Sequence, residues 1–120
     1  MLDGLFDIQL LEDLGQKQIY KVLVNPAHEV FEGHFPGQPV LPGVAMVYLS
    51  RCLTQKQVPA KELQMKGASQ IKFLSLVDPR INAEFTYVNE ILKNEDGLIS
   101  VKGDMKHEAT TFFKINATYN

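Results

Sequence analysis

The sequence predicts an α+β domain in which a curved antiparallel sheet wraps around one central buried helix. Three observations predict it. Residues 5–25 and 63–120 alternate apolar and polar side chains with the period of two that half-buried strands require. Between them lies one apolar stretch without a helix breaker, Val44-Ala-Met-Val-Tyr-Leu-Ser-Arg-Cys-Leu-Thr. The length, 120 residues, suits a single domain over 1–120. A sheet curled around one helix is the simplest way to cover that helix on all sides.

The elements follow in order. Asp7-Ile-Gln-Leu-Leu-Glu and Ile19–Val24 read as two strands joined at Gly15-Gln16, with Tyr20, Val22 and Val24 on one face. Asn25-Pro26 ends the pair, because proline cannot donate to a ladder. Residues 31–44 carry three prolines and three glycines, so the backbone there is pinned into an irregular path. The helix is expected over 43–55. Pro42 stands just before it, where a missing N–H costs nothing, and Pro59 stops it. Its first turns are apolar on nearly every side, which predicts burial all round. Next come a strand with Ile71, Phe73 and Val77 on one face, ended by Asp78-Pro79, and a strand with Ile81, Ala83, Phe85 and Tyr87 on one face. Asn94-Glu-Asp-Gly97 predicts a tight hairpin. Leu98–Lys106 places Ile99, Val101 and Met105 on one side, and a turn at His107-Glu108 leads to a closing strand, Thr110–Tyr119.

Composition narrows the function. The chain is 45% hydrophobic and 22% charged with a formal net charge of −2, which argues against nucleic-acid binding led by bulk positive charge. The longest uncharged run, Phe35–Ser50, holds three prolines and is no membrane span. The N-terminus lacks the layout of a signal peptide. A single cysteine, Cys52, excludes an internal disulfide and a CxxC metal site, and a cytoplasmic location is expected. At this length roughly a third of the unfolded chain's surface stays wet, so pairing with a second subunit is expected.

His34 is the first candidate for chemistry. Pro36, Gly37, Pro39, Pro42 and Gly43 hold the backbone beside it, and a neutral imidazole takes up a proton near pH 7. Gly43 falls at the first helical turn, where free N–H groups face out and a ligand can approach the backbone; it is either an oxyanion site or only the turn that leads into the helix. The Pro36-x-x-Pro39-x-x-Pro42 spacing matches polyproline ligands, but it runs straight into the helix. Cys52 lies one turn beyond Tyr48 and reads as a buried structural residue rather than a nucleophile paired with His34. His28 and His107 have no metal-site spacing and read as surface residues.

The segment Phe31-Glu-Gly-His-Phe-Pro-Gly-Gln-Pro-Val-Leu-Pro-Gly-Val44 resembles the signature of the 3-hydroxyacyl-acyl carrier protein dehydratases of type II fatty-acid synthesis, GHFPGxPVxPGV, at every fixed position. Ile71-Lys-Phe-Leu-Ser-Leu-Val-Asp-Pro resembles a later strand of that family more weakly. The resemblance implies a hot-dog fold and dehydration of 3-hydroxyacyl thioesters to 2-enoyl thioesters, in fatty-acid or related polyene biosynthesis. It implies no metal and no cofactor beyond the phosphopantetheine arm of acyl carrier protein, the expected partner. It gives His34 the role of removing the C2 proton and Gly43 that of binding the thioester oxygen. Phe35 and Val44, next to them in the signature, join the substrate site.

One position departs from the family. The Glu or Asp expected fourteen residues after the histidine is Tyr48, the family glutamine that follows falls on Cys52, and Phe35–Ala60 contains no acid. With a pKa near 10, Tyr48 donates a hydrogen bond but cannot act as a carboxylate; the dehydratase reading needs either Tyr48 or an outside group as its acid, and otherwise Tyr48 is core packing. In the family the histidine and the acid come from different protomers. The expectation is therefore a homodimer with an incomplete site, or a heterodimer with an acid-bearing hot-dog subunit in which this chain donates His34. The alternatives are a non-catalytic acyl- or carrier-binding subunit and a hot-dog thioesterase.

Overall fold

The computed structural model describes residues 2–120. The chain runs β1 (Phe6–Asp13), β2 (Lys17–Val24), α1 (Val30–Gly33), α2 (Gly43–Gln57), β3 (Met65–Phe73), β4 (Glu84–Glu95), β5 (Leu98–His107) and β6 (Thr110–Tyr119). The strands form one antiparallel sheet in the order β1-β2-β4-β5-β6-β3. This is the expected hot-dog architecture, a curved sheet holding one main helix.

The period-two pattern sets the concave face. Tyr20, Val22 and Val24 of β2, Phe85 and Tyr87 of β4, Ile99, Val101 and Met105 of β5, and Phe113, Ile115 and Ala117 of β6 are all buried. Ala45, Met46, Leu49 and Leu53 of α2 pack into that face. Asn89 ties the end of the helix to β4, donating to Thr54 Oγ1 at 3.2 Å and Gln57 Oε1 at 2.8 Å. The β4–β5 hairpin turns at Asp96 and Gly97, both at positive φ as the Asp-Gly pair predicts.

Four expectations are corrected. The helix is not buried all round: Val44 is 71% and Tyr48 41% exposed. One sheet has one concave face, so it covers one side of a helix. The strand expected to reach Val77 ends at Phe73 and forms one of the sheet's two edges, β1 being the other, leaving Ile71 and Phe73 exposed. Val77 is buried in the connection beyond it, where its carbonyl accepts from Leu41 N–H at 2.9 Å. Ile81 is exposed because β4 begins only at Glu84, after a turn closed on the Asp78 carbonyl.

The fourth correction concerns His28, which is buried rather than at the surface. Its Nδ1 accepts from Val30 N–H at 3.0 Å, so Nε2 carries the proton and donates to the Asp3 carbonyl at 2.8 Å. His28 thereby clamps the N-terminal turn to α1, a short helix that the Gly/Pro-rich sequence does not announce. His107 is half-buried, with Nδ1 2.9 Å from the Glu84 carbonyl. Cys52 is likewise only half-buried.

Burial pushes the Tyr87 phenol well above its ordinary value. Above about pH 10 the unfolded chain loses this proton while the folded chain keeps it, so stability falls as pH rises. Denaturant titrations on either side of that pH should show the loss, and it should be smaller in Tyr87→Phe. An unchanged alkaline slope in that variant would place the loss elsewhere.

Candidate active site

The site grows from the loop between α1 and α2. Phe35 and Gln38 exchange backbone hydrogen bonds of 3.0 and 2.9 Å around Pro36-Gly37. Gly37 has φ +77°, which makes this a type II turn with proline at its first corner and glycine where a side chain is disfavoured. Outside that turn, Val40 N–H donates to the His34 carbonyl at 2.8 Å, and His34 Nδ1 lies 3.0 Å from the Val40 carbonyl. A carbonyl only accepts, so Nδ1 carries the proton. Nε2 is left with its lone pair, the form a general base needs. The Phe35 ring stacks on the imidazole with centroids 4.1 Å apart.

Beyond Val40 the chain is carried directly to the helix. Pro42 caps α2 in an extended conformation, and Ala45 N–H makes the first bond of the turn, to the Pro42 carbonyl at 3.0 Å. Gly43 N–H has no backbone acceptor among the described residues. It sits at the positive end of the helix dipole.

His34, Phe35 and Gly43 meet in one cavity of about 400 Å³. Buried Val40, Leu41, Met46 and Val77 form its apolar floor, and Phe73, Ser75 and Leu76 complete its wall. The sequence reading missed this wall. The Lys72-Phe73 pair was its only signal, because Ser75–Val77 belongs to no regular element. No Asp or Glu lines the cavity. Among the described residues no group of three or more His, Cys, Asp and Glu side chains is placed to hold a metal ion. No helix among them is long and apolar enough to cross a membrane.

Two of the sequence-derived site residues lie elsewhere. Val44 faces outward and lines neither this cavity nor the next. Tyr48 borders a second hollow of about 240 Å³ with Asp3, Phe6, Cys52 and Lys56. The adjacent Cys52 side chain, then partial burial and the charge of Asp3, raise the Tyr48 phenol, with Arg51 opposing. Tyr48 is therefore a neutral hydrogen-bond donor at pH 7. Within one chain, His34 and Tyr48 do not share a site.

A family model described as ApeI-like, ApeI dehydratase, matches residues 12–111. The chain is 31% identical over 112 residues to the 3-hydroxyacyl-[acyl-carrier-protein] dehydratase FabZ of Caldicellulosiruptor saccharolyticus, covering 88% of this chain and 72% of the relative. It is 30% identical to the FabZ of Enterococcus faecalis, covering 84% and 79%. Among solved structures it resembles the dehydratase heterocomplex ApeI:P from Xenorhabdus doucetiae, with a TM-score of 0.67 at 21% identity, covering 92% of this chain and 93% of that one. It also resembles a putative thioesterase from Ralstonia eutropha, with a TM-score of 0.69 at 10% identity, covering 98% and 86%. At these identities the structural likenesses show the fold.

Asp78 and Arg80 brace the loop from outside. Asp78 accepts from Arg80 N–H, Nε and Nη2 at 2.9, 3.1 and 2.8 Å, and these bonds hold its carboxyl below the usual range. Arg80 Nη1 also donates to the Gly37 carbonyl at 3.3 Å. Arg80→Ala should barely move global stability, because the Arg80 side chain is 54% exposed and solvent screens the pair. It should speed amide exchange at Gln38 and Val40. Unchanged exchange there would show that the turn holds itself.

Proposed function

The chain belongs to the ApeI-like dehydratase family as a 3-hydroxyacyl-acyl carrier protein dehydratase-like protein, and we propose that it contributes the base half of a dehydratase site completed by a second hot-dog subunit. One observation carries this reading: an imidazole whose Nδ1 is engaged by Val40 and whose Nε2 is free shares an apolar cavity with an unpaired helix-start N–H at Gly43.

In this reading the thioester carbonyl oxygen sits on Gly43 N–H, which steadies the negative charge that develops as the C2 proton leaves. His34 Nε2 takes that proton. The C3–O bond breaks, and the hydroxide departs as water with a proton from an acid. The apolar floor receives the acyl chain, and the substrate arrives on acyl carrier protein.

The acid must come from outside the cavity, since none of its lining residues carries a carboxylate. The same absence argues against the thioesterase reading, in which a carboxylate on or near the helix activates water. The free edge of β3 and the exposed Val44 and Tyr48 on α2 support a second subunit docking on this side of the molecule. The heterocomplex named for the Xenorhabdus relative supports a hot-dog protein as that subunit. A partner with Glu or Asp on its helix would set its carboxylate opposite His34. Its own histidine would face Tyr48.

Sedimentation should find a dimer; a well-ordered monomer at micromolar concentration would remove the composite site. Alone, the chain should dehydrate a 3-hydroxyacyl thioester weakly, since a general acid is worth roughly 10²–10⁴-fold. An acid-bearing hot-dog partner should restore the rate, His34→Ala should abolish it, and Tyr48→Glu should raise the rate of the chain alone. Full activity of the homodimer, undiminished in Tyr48→Phe, would overturn the need for a partner and any acid role for Tyr48.

A further inference from the structure

Phe73 ends β3 at one edge of the sheet, and its ring is half exposed. One side leans on the buried Phe113, with centroids 5.5 Å apart. The other side lies against the start of α2. A β-carbon placed on Gly43 would stand 2.9 Å from both Cε1 and Cζ of the ring and 3.4 Å from Cε2. The ring therefore fills the volume that a side chain at position 43 would occupy. The backbone that follows is tethered, with Leu74 N–H donating to the Phe112 carbonyl at 2.9 Å and the Val77 carbonyl accepting from Leu41. Only the side-chain torsions of Phe73 are free to yield.

The two groups that handle the thioester thus each stand beside an aromatic ring, His34 against Phe35 and Gly43 against Phe73. A carbonyl bound at Gly43 N–H would stand next to the Phe73 ring, because both line the same cavity. We propose that Phe73 is a specificity-determining residue: its ring forms the wall beside the first acyl carbons, and its size sets the bulk admitted between Gly43 and His34. The inference rests on the dehydratase reading above. It adds that selectivity is set at the helix start, by a side chain outside the signature segment.

The test measures kcat/KM of the complex with an acid-bearing hot-dog partner on a short 3-hydroxybutyryl thioester and on analogues branched at C4. Relative preference for the branched substrates should rise about tenfold or more in Phe73→Ala, and less in Phe73→Leu, which keeps the strand apolar. It should fall in Phe73→Trp. Gly43→Ala pushes a methyl group into the ring and should shift preference toward the short substrate, and Phe73→Ala in that background should cancel the shift.

A purely structural role for Phe73 would lower kcat/KM for every substrate alike. A preference constant to within about twofold across these variants would overturn the proposal, as would a Gly43→Ala shift that survives removal of the ring. Dissociation constants of the corresponding unreactive amides read the same preference, so the outcome does not depend on turnover. Activity that persists in His34→Ala would instead overturn the underlying dehydratase reading, and the two failures are therefore distinct.

Discussion

The closure of His34 on Val40 is the constraint on which the site depends. The two residues are joined twice, once through the backbone and once through the imidazole. The backbone bond folds the loop and brings the Val40 carbonyl to Nδ1 of the ring. That carbonyl then decides which nitrogen carries the proton, so a structural bond selects the tautomer that leaves Nε2 basic. The same segment runs on through Leu41, anchored to Val77, into the cap at Pro42. Base and helix-start N–H are thus placed by one short stretch of chain. Its prolines limit the other paths it could take, and Gly37 permits the positive φ that the turn requires.

A second constraint is geometric. Six strands in one sheet supply one concave face, and α2 offers it Ala45, Met46, Leu49 and Leu53 while Val44 and Tyr48 face away. The edge at β3 has unpaired backbone groups and exposed apolar side chains. These are features that folded proteins cover rather than leave wet. The start of α2, through Gly43 and Met46, and the end of the β3 edge, through Phe73, both line the His34 cavity, so on the proposed reading a subunit that covers the edge also borders the site. Assembly and chemistry then share one surface.

Much of this was legible in the sequence because periodicity reports burial directly. Tyr20-Val22-Val24 and Ile99-Val101-Met105 alternate, and the structure buries them as read. The Asp96-Gly97 turn and the helix start at Gly43 were legible from local backbone chemistry, and the His34 segment from its resemblance to a family signature. What failed was whatever depends on position within the sheet. Ile71 and Phe73 alternate like core residues, yet β3 is an edge strand, and nothing local distinguishes an edge from a centre. Apolar residues around α2 predict burial on every side, yet the single sheet covers one side only, and nothing local marks Val44 and Tyr48 as the exposed ones. His28 was missed because its partners are backbone groups, Val30 N–H and the Asp3 carbonyl, which leave no trace in residue spacing.

The position of Tyr48 shows why a half-site is a coherent object. General acid catalysis is strongest when the donor's pKa lies near the working pH. A phenol already far above neutrality, and raised further by Cys52 and partial burial, gives up its proton too reluctantly to replace a carboxylic acid. It also stands on the side of α2 away from its own chain's histidine. Its shortfall therefore leaves the His34 cavity of the same chain untouched. In a two-subunit site built across α2, the loss of one acid disables only the cavity it would have faced. On the proposed reading the other cavity, formed by this chain's His34 and Gly43 with the partner's acid, keeps every group the elimination needs. That separation lets one chain retain a base and an oxyanion donor while lacking an acid.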